Sequence, residues 1–356
     1  MKTGALIGVR LKNGRPASEK SVLMLLVLLI GVMLMATAAG AVNVPLSTVA
    51  KIVLHQLPFI ALDGWEQADE IIILTLRLPR ILLAALIGGG LAVSGAVLQA
   101  LFRNPMADPG VIGVSSGGAL AAVIALATGF ASIHTLALPL SAFLGSLGTL
   151  VLVYTIAARR GRTPVTTLLL SGIAVGIFMG AVLSLILTRV DSNAALREIF
   201  FWLMGGLDGQ GWLQLKIALW PILIGSGALL FFSRDLNLLY LEGEAGAQAL
   251  GMSVAVVQRW VLVLSALITG VAVAFSGTIP FVGLIVPHIV RRITGPNHLN
   301  LLPASFLAGG ILLTTADLAA RTLAQPEELR LGTITALIGV PFFLYLLQKG
   351  RAGQNA

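Results

Sequence analysis

The chain has few charged residues for its length. Of its 356 residues, 57% are hydrophobic and only 11% are charged, and the mean hydropathy is +0.97. Soluble globular proteins carry about 25% charged residues, because these cover the surface that faces water. A chain with less than half that share cannot cover such a surface. The composition therefore indicates a polytopic membrane protein.

Cysteine is absent altogether. This excludes a disulfide framework, a thiolate nucleophile and a thiolate metal site. The four histidines are scattered, without the spacing of metal ligands; they are His55, His134, His288 and His298. A phosphate-binding loop of the G-x-x-x-x-G-K-[ST] type is also missing, so any ATPase would have to be another polypeptide. We therefore expect no catalytic residues, no cofactor and no metal site, and the chain is not predicted to be an enzyme.

Long apolar runs dominate what is present. The first run follows several basic residues, as in a secretory signal, but it exceeds the roughly 7–15 apolar residues of such a signal and is long enough to span a bilayer. Runs bounded by charges or turns predict an all-α protein with about ten transmembrane helices. They lie near Val22–Val42, Ile81–Leu101, Val111–Phe130, Leu136–Ala157, Thr166–Thr188, Leu213–Phe232, Trp260–Phe275, Ile279–Val290, Leu302–Ala320 and Gly332–Leu347. Glycine and proline interrupt the chain around Gly277, so one of the two adjoining segments is expected to be a short half-helix.

The basic residues predict the orientation of these spans. With the N-terminus on the inner side, ten crossings place 15 of the 23 Lys and Arg residues inside, in agreement with the positive-inside rule. The net charge of +8 is dispersed between helices, which argues against a nucleic-acid partner. The predicted organisation is a cytoplasmic segment 1–20, a single transmembrane domain 21–349 with a cytoplasmic region 233–257, and a cytoplasmic tail 350–356.

A polar turn breaks the chain between the second and third predicted spans. The glycine-rich helix before it ends at Phe102-Arg-Asn-Pro-Met-Ala-Asp-Pro-Gly110, where the prolines stop the helix. Asn104 and Asp108 can cap the helix that follows. Non-helical backbone at membrane depth is tolerated only inside protein or along an aqueous path. The turn is therefore either a loop with favourable turn chemistry or a constriction of a path, with Asn104 and Met106 facing it.

Charged groups near the helix ends offer two more candidate sites. Arg77, Arg80 and Arg321 are predicted at the outer side, where arginines either anchor to lipid headgroups or present forked donors to carboxylates of an external protein. On the inner side, the only long polar insertion contains a predicted short helix closed by Gly251. It is either a solvated connector or a docking element for a soluble partner. Asp317 and His288 are the only ionisable groups predicted within the membrane, whereas ion-coupled carriers usually need deeper acids.

Together these segments resemble the permease subunits of ATP-binding-cassette (ABC) importers for iron–siderophore complexes, haem and cobalamin. The resemblance extends over roughly Val22 to Lys349. Its motifs are RLPR from Arg77, SGAVLQALFRNPMADPGVIGVSSGG from Ser94, FFWLMGGLDG from Phe200, EAGAQALG from Glu244, FVGLIVPHIVR from Phe281, TADLAAR from Thr315 and the terminal TALIGVPFFLYLL.

The resemblance implies a fold and a set of partners. The fold is that of a type II ABC importer permease in the cytoplasmic (inner) membrane of a bacterium or archaeon, with both termini in the cytoplasm. The implied partners are a second copy of the permease, two copies of a separate ATPase, an external substrate-binding protein and the membrane lipid.

The resemblance also implies roles for individual residues. Arg77 and Arg321 match arginines that meet acidic residues on the two lobes of the binding protein, with Arg80 as a third position. Asn104 and Met106 match an inner gate, and Val165 and Thr166 match a second gate level, which is usually more polar in the cobalamin relatives. The positions that match the ATPase-coupling helices are Glu242, Glu244, Ala245, Gly246, Ala249, Leu250, Gly251 and Met252. Relatives often have proline before the glycine that opens the last helix, whereas this chain has Leu329-Arg330-Leu331-Gly332. Arg330 either adds an outer docking charge or changes how the last helix begins.

The predicted function is import of a bulky iron chelate, siderophore or haem, or of cobalamin, driven by ATP hydrolysis in a separate subunit. The alternatives are an ion-coupled secondary transporter, a zinc or manganese permease of the same superfamily, and a membrane-embedded enzyme. The sequence does not choose between the chelates.

Overall fold

The computed structural model describes residues 15–158 and 164–352, and in these ranges every regular element is helical. The helices are α1 (Arg15–Ala38), α2 (Leu46–His55), α3 (Gln67–Ile71), α4 (Leu78–Leu101), α5 (Val114–Ala127), α6 (Ala137–Ala157), α7 (Val165–Leu187), α8 (Asn193–Leu203), α9 (Trp212–Phe231), α10 (Ser233–Ala249), α11 (Val254–Ser276), α12 (Val282–Thr294), α13 (His298–Thr322) and α14 (Leu331–Ala352). A π-helix, Ile72–Arg77, joins α3 to α4, and short 3-10 helices precede α5 and α6. The predicted terminal segments 1–20 and 350–356 lie partly outside the described residues.

Within the described residues, seven helical segments are long and apolar enough to cross a membrane. They correspond to α1, α3–α4 with the π-helix, α6, α7, α9, α11 and α13. The other three predicted spans correspond to α5, α12 and α14. The 14 residues of α5 reach only about 21 Å, which is less than the roughly 30 Å of bilayer hydrocarbon. The chain before α5 must therefore cover part of the thickness without regular α-helix, and the same holds before the 13-residue α12.

The predicted elements differ from the structure in their boundaries and in the number of helices. The span predicted from Ile279 begins at Val282, because Gly277 (φ +64°) and Phe281 (φ +70°) hold the backbone outside the helical region. Among the helices that were not predicted are α2 and α8. Both are too short to span and have an apolar face on one side only, so neither produces a long hydrophobic run. In α8, Ile199 is the buried residue, and it packs against Val123 and Leu126 of α5.

The centre of the bundle is α4. In the 35-residue segment that contains it, 94% of the most apolar window is buried, compared with 17% in α7. Small residues allow this close packing, since they let helix backbones approach closely. A Cβ added to Gly88 would lie 2.2 Å from the carbonyl oxygen of Gly309 in α13. Hence α4 is packed by protein on all sides, while α7 keeps much apolar surface uncovered.

Candidate functional site

The broken turn between α4 and α5 is held by side-chain hydrogen bonds to its own backbone. Asp108 caps the 3-10 helix Pro109–Ile112 by accepting from the Gly110 N–H at 2.9 Å. Contrary to the prediction, Asn104 does not cap a helix. Its side-chain oxygen accepts from the Met106 N–H at 2.9 Å, which closes a local turn of the kind that Asn favours. Gly113, at φ +81°, then joins the 3-10 helix to α5.

Two neighbouring helices hold this turn between them. A Cβ on Gly283, in the first turn of α12, would lie 2.6 Å from Cδ of Pro109. A Cβ on Gly172 of α7 would lie 2.5 Å from the Val111 carbonyl oxygen. The turn therefore contacts α12 on one side and α7 on the other. Such contact at a point where α5 is too short to span is the situation in which irregular backbone is tolerated within a membrane.

The predicted gate residues occupy accessible parts of the turn and of α7. Asn104 is exposed and Met106 half-buried in the turn, while Val165 is half-buried and Thr166 exposed in the first turn of α7. Gly172, where α7 meets the 3-10 helix, is seven residues or about 10 Å further along α7. The gating role of these four residues stays a prediction.

A further residue of this region was missed by the sequence reasoning. Gln99 of α4 is fully buried, and its side-chain NH₂ donates to the carbonyl oxygens of Gly283 at 3.1 Å and Leu284 at 3.3 Å. Pro287 explains why the first of these carbonyls needs a donor: a proline has no N–H, so the carbonyl four residues before it is left without its helical partner. The sequence feature that could have indicated this contact is Pro287, a proline inside the predicted span Ile279–Val290.

We call the end of the bundle that carries α10 the inner end, and the opposite end the outer end, following the predicted orientation. At the outer end, Arg77 and Arg321 are only 7% and 6% exposed. Arg77 donates to the carbonyl oxygens of Thr37 (2.8 Å), Ala38 (3.1 Å) and Val42. Arg321 donates to those of Ala36 and Ala39, at 3.0 and 3.1 Å. Because the last carbonyls of a helix lack intrahelical partners, the two guanidinium groups close the C-terminal end of α1.

Arg80 lies at the centre of an ionic network that joins four parts of the chain. Its guanidinium pairs with Asp317 of α13 at 2.9 Å, Glu328 at 2.9 Å and Asp208 at 3.3 Å. Asp317 is fully buried and also pairs with Arg321 at 2.9 Å. Two guanidinium groups thus neutralise one of the two predicted intramembrane ionisable groups.

Asp208, Glu328 and Arg330 form the exposed edge of this network. Arg330 pairs with Asp208 and lies over the ring of Phe201, 3.9 Å from its centroid. Burial raises the pKa of the Glu328 carboxyl above its ordinary value, and a hydrogen bond with Asp208 raises that pKa further, while Arg80 opposes the shift. Glu328 thus lies between a cation and a competing carboxylate.

The three outer arginines open onto one cleft. Arg77, Arg80 and Arg321 line a cavity of about 400 Å³, together with Glu328 and the chain after α1. The structure therefore brings the predicted docking residues together, although most of their N–H groups already have partners. Their docking role stays a prediction, and the structure adds a packing role that the sequence reasoning missed.

At the inner end, α10 consists of two helical parts. Gly243, at φ 72°, interrupts it, so the predicted short helix closed by Gly251 begins after Gly243. Gly251 (φ +86°) follows its last turn, as predicted. One side of α10 is buried through Leu236, Leu239 and Ala247.

The other side of α10 faces away from the bundle. Of the predicted coupling positions, Gly246 and Met252 are half-buried; those exposed are Glu242, Glu244, Ala245, Ala249, Leu250 and Gly251. Leu250 is 65% exposed, and Leu241, which was not predicted, is 67% exposed. Glu244 accepts a hydrogen bond from Gln258 at 2.8 Å. The result is an exposed surface of leucines, alanines and acids outside the long apolar helices.

Comparison with known proteins assigns this arrangement to a family. Residues 25–349 match the FecCD transport family. The cobalamin import system permease protein BtuC of Halobacterium salinarum is 47% identical over 285 residues, which are 80% of this chain and 75% of that protein. The hemin transport system permease protein HmuU of Yersinia pestis is 43% identical over 281 residues, 78% of this chain and 83% of that protein.

The fold also matches a solved structure. A metal-chelate type ABC transporter in an inward-facing conformation has a TM-score of 0.81 and 34% sequence identity to this chain, and the match covers 93% of this chain and 99% of that one. The predicted all-helical type II importer fold is therefore confirmed. The chain belongs to the FecCD transport family, the multi-pass inner-membrane permease subunits of ABC importers of the iron-chelate, haem and cobalamin type.

Proposed function

We propose that this chain imports a bulky iron chelate or cobalamin into the cytoplasm, and that ATP hydrolysis in a separate subunit drives the transport. The observation that carries the proposal is the exposed surface of α10. Leu241 and Leu250 are 67% and 65% exposed. Their helix, α10, lies between α9 and α11 in the chain and is not one of the long apolar spans. Apolar side chains in such a place favour a protein partner over lipid or water.

The ATPase binds this surface in two copies, one for each permease of a homodimer. The kink at Gly243 separates the two parts of α10, and buried residues attach both to the bundle, Leu236 and Leu239 in the first part and Ala247 in the second. A change in the ATPase upon nucleotide binding then moves a compact element rather than a flexible loop. The permease converts this movement into alternate opening of its outer and inner ends.

The second permease copy covers part of the apolar surface of α7, and membrane lipid covers the rest. Large side chains on this helix are uncovered in the single chain, among them Leu170 (68% exposed), Ile177 (70%) and Phe178 (66%). The path for the chelate then lies between the two copies. The broken turn contacts α7 at Gly172, so a rearrangement of the turn acts directly on the wall of this path.

A loaded external binding protein docks at the outer end through carboxylates that enter the arginine-lined cleft. Because Arg77 and Arg321 also close α1, an incoming carboxylate competes most readily for Arg80, whose partner Glu328 is 39% exposed. Docking then replaces an internal ion pair by an intermolecular one and releases the loop that carries Glu328. Contact with the binding protein is thereby linked to the opening of the outer end.

The iron-chelate and cobalamin classes are favoured by the names of the relatives, which include cobalamin, hemin and Fe³⁺-citrate permeases. The test is uptake by proteoliposomes that contain the permease and its cognate ATPase, with the cognate binding protein added outside. Cobalamin, haem and a ferric siderophore are offered in turn. We expect uptake of one of them, abolished when the binding protein is omitted. Uptake of free zinc or manganese, with none of the three chelates transported, would favour the metal-permease alternative.

A further inference from the structure

The two most specific sequence motifs of this chain meet at one side chain. Gln99 belongs to the run that ends in the broken turn, and Gly283, Pro287 and Arg291 belong to the run Phe281–Arg291. The Gln99 NH₂ donates to the Gly283 carbonyl that Pro287 leaves without a helical partner. The carbonyl oxygen of the same amide accepts from the Arg291 guanidinium at 3.2 Å. Both ends of the Gln99 amide are therefore used, and both bonds lead to α12.

Arg291 in turn contacts the inner surface element. Its guanidinium lies over the ring of Tyr240, 5.5 Å from the centroid, within the distance at which a cation is attracted by an aromatic face. Tyr240 lies in the first part of α10, three residues before the kink at Gly243. Hence a continuous set of contacts runs from α10 through Tyr240, Arg291 and Gln99 to the end of α4.

The far end of this set is the broken turn itself. Gln99 is three residues before Phe102, where α4 ends and the turn begins. Gly283, which accepts from Gln99, is also the residue against which Pro109 of the turn packs. A shift of the Gln99 amide relative to α12 therefore changes the position of the turn at both of its ends.

A second set of contacts fixes the other side of Tyr240 to α13. The ring of Tyr240 meets that of His298 edge to face, with centroids 6.2 Å apart. The backbone N–H of His298 donates to the side-chain oxygen of Asn237 at 3.0 Å, and the ring nitrogen Nδ1 lies 2.7 Å from the same oxygen. The first part of α10 is thus anchored to α13, and the Tyr240–Arg291 contact links it to α12.

We infer that Gln99, Arg291 and Tyr240 form a link, through α12, by which a movement of α10 reaches the broken turn. They are positioning residues: they do not contact the transported molecule but determine where the turn lies when α10 moves. The inference rests on the proposed function, since it requires an ATPase that moves α10.

The test uses the complete importer in proteoliposomes, with the cognate ATPase and binding protein, and measures transported substrate per ATP hydrolysed. Tyr240→Leu removes the aromatic face, and Tyr240→Phe is the matched control that keeps it. Arg291→Lys keeps a positive charge but replaces the planar fork by a point charge. We expect Tyr240→Leu and Arg291→Lys each to lower substrate per ATP about fivefold or more, while basal hydrolysis by the assembled complex stays near that of the wild type and Tyr240→Phe behaves as the wild type.

The double variant gives an independent criterion. If both residues act on one route, Tyr240→Leu combined with Arg291→Lys lowers the ratio no further than the stronger single change, because contacts within one network are not additive. An unchanged ratio in both single variants, or losses that multiply in the double variant, would overturn the inference. If the importer that carries Tyr240→Leu does not assemble, the ratio measured for Arg291→Lys alone decides whether the inference holds. Failure of the proposed function is distinguishable, since the wild-type importer itself would then show no ATP-dependent uptake.

Discussion

Gly95 and Gly283 bring the backbones of α4 and α12 into direct contact. A Cβ added to Gly95 would lie 1.9 Å from the carbonyl oxygen of Gly283, a distance that no side chain tolerates. The same carbonyl accepts the Gln99 hydrogen bond. The close approach of the two helices and the repair of the proline break are therefore parts of one contact, directly beside the broken turn.

This contact predicts a large effect of a single methyl group. Gly95→Ala forces α4 and α12 apart, and we expect a loss of at least about 2 kcal/mol of stability, because the obstacle is backbone and cannot change rotamer. Thermal unfolding of the purified protein in nanodiscs measures this. Gly31→Ala in α1 is the matched control, since a Cβ there meets nothing within 4 Å. Equal melting temperatures of the two variants would show that the helices are less closely packed than described.

The outer arginines are expected to act in packing as well as in docking. Arg321→Lys retains the charge near Asp317 but cannot reach the carbonyls of Ala36 and Ala39 together. The resulting unpaired carbonyls should cost about 1–3 kcal/mol. Thermal unfolding measures that loss, and binding of the loaded external protein to the permease in nanodiscs measures docking. The exposed Arg197 provides the control, Arg197→Lys, for which no change is expected. If Arg321→Lys weakens docking at unchanged stability, then closure of α1 is not a function of this residue.

Glu328 makes the stability of the outer end depend on pH. Its pKa is raised in the folded protein, so the folded state binds the proton more tightly than the unfolded state does. Stability from this group is therefore fully present at low pH and is lost as the pH rises through the raised pKa. We expect Glu328→Gln to flatten the fall in melting temperature above about pH 4.5, whereas Glu327→Gln, which changes the adjacent exposed carboxyl, leaves it as in the wild type. A steeper fall in Glu328→Gln would mean that its ion pair with Arg80 outweighs its burial.

The exposed side of α10 predicts where the ATPase binds. Leu250→Glu places a charge where we propose an apolar contact, and loss of one buried leucine corresponds to about 1.5–3 kcal/mol. Co-purification of the ATPase with the permease should therefore fall by at least about tenfold. Leu323→Glu is the control, because Leu323 is similarly exposed (70%) but lies at the outer end. Equal recovery of the ATPase with both variants would place its binding surface elsewhere.

Much of the fold was predictable because membrane spans are encoded locally. Each apolar run between charges or turns corresponds to one helix, and the break near Gly277 was visible in its glycine and prolines. The helices α2 and α8 were missed since an amphipathic helix of 10 or 11 residues leaves no long apolar run. Boundary errors arose where the backbone leaves the helix at a residue that gives no warning, as at Phe281.

The site was predictable only as a set of segments. The turn, the inner helix and the outer arginines were all identified from local chemistry. Their contacts depend on which helix faces which, and a single sequence does not contain that information. Arg77 and Arg321 are 244 residues apart in the sequence, yet both close the end of α1. Gln99 was overlooked for the same reason, since its partners are almost 200 residues away, on α12.

The most direct test of the account is the energy source of transport. Proteoliposomes with the permease, the binding protein and the cognate ATPase are compared with identical vesicles whose ATPase binds but cannot hydrolyse ATP. Uptake by each is measured with ion gradients intact and again with all of them collapsed by ionophores. The account predicts uphill uptake of the chelate with the active ATPase and none with the inactive one. Uptake that continues with the inactive ATPase and disappears only when a proton or sodium gradient is collapsed would contradict it.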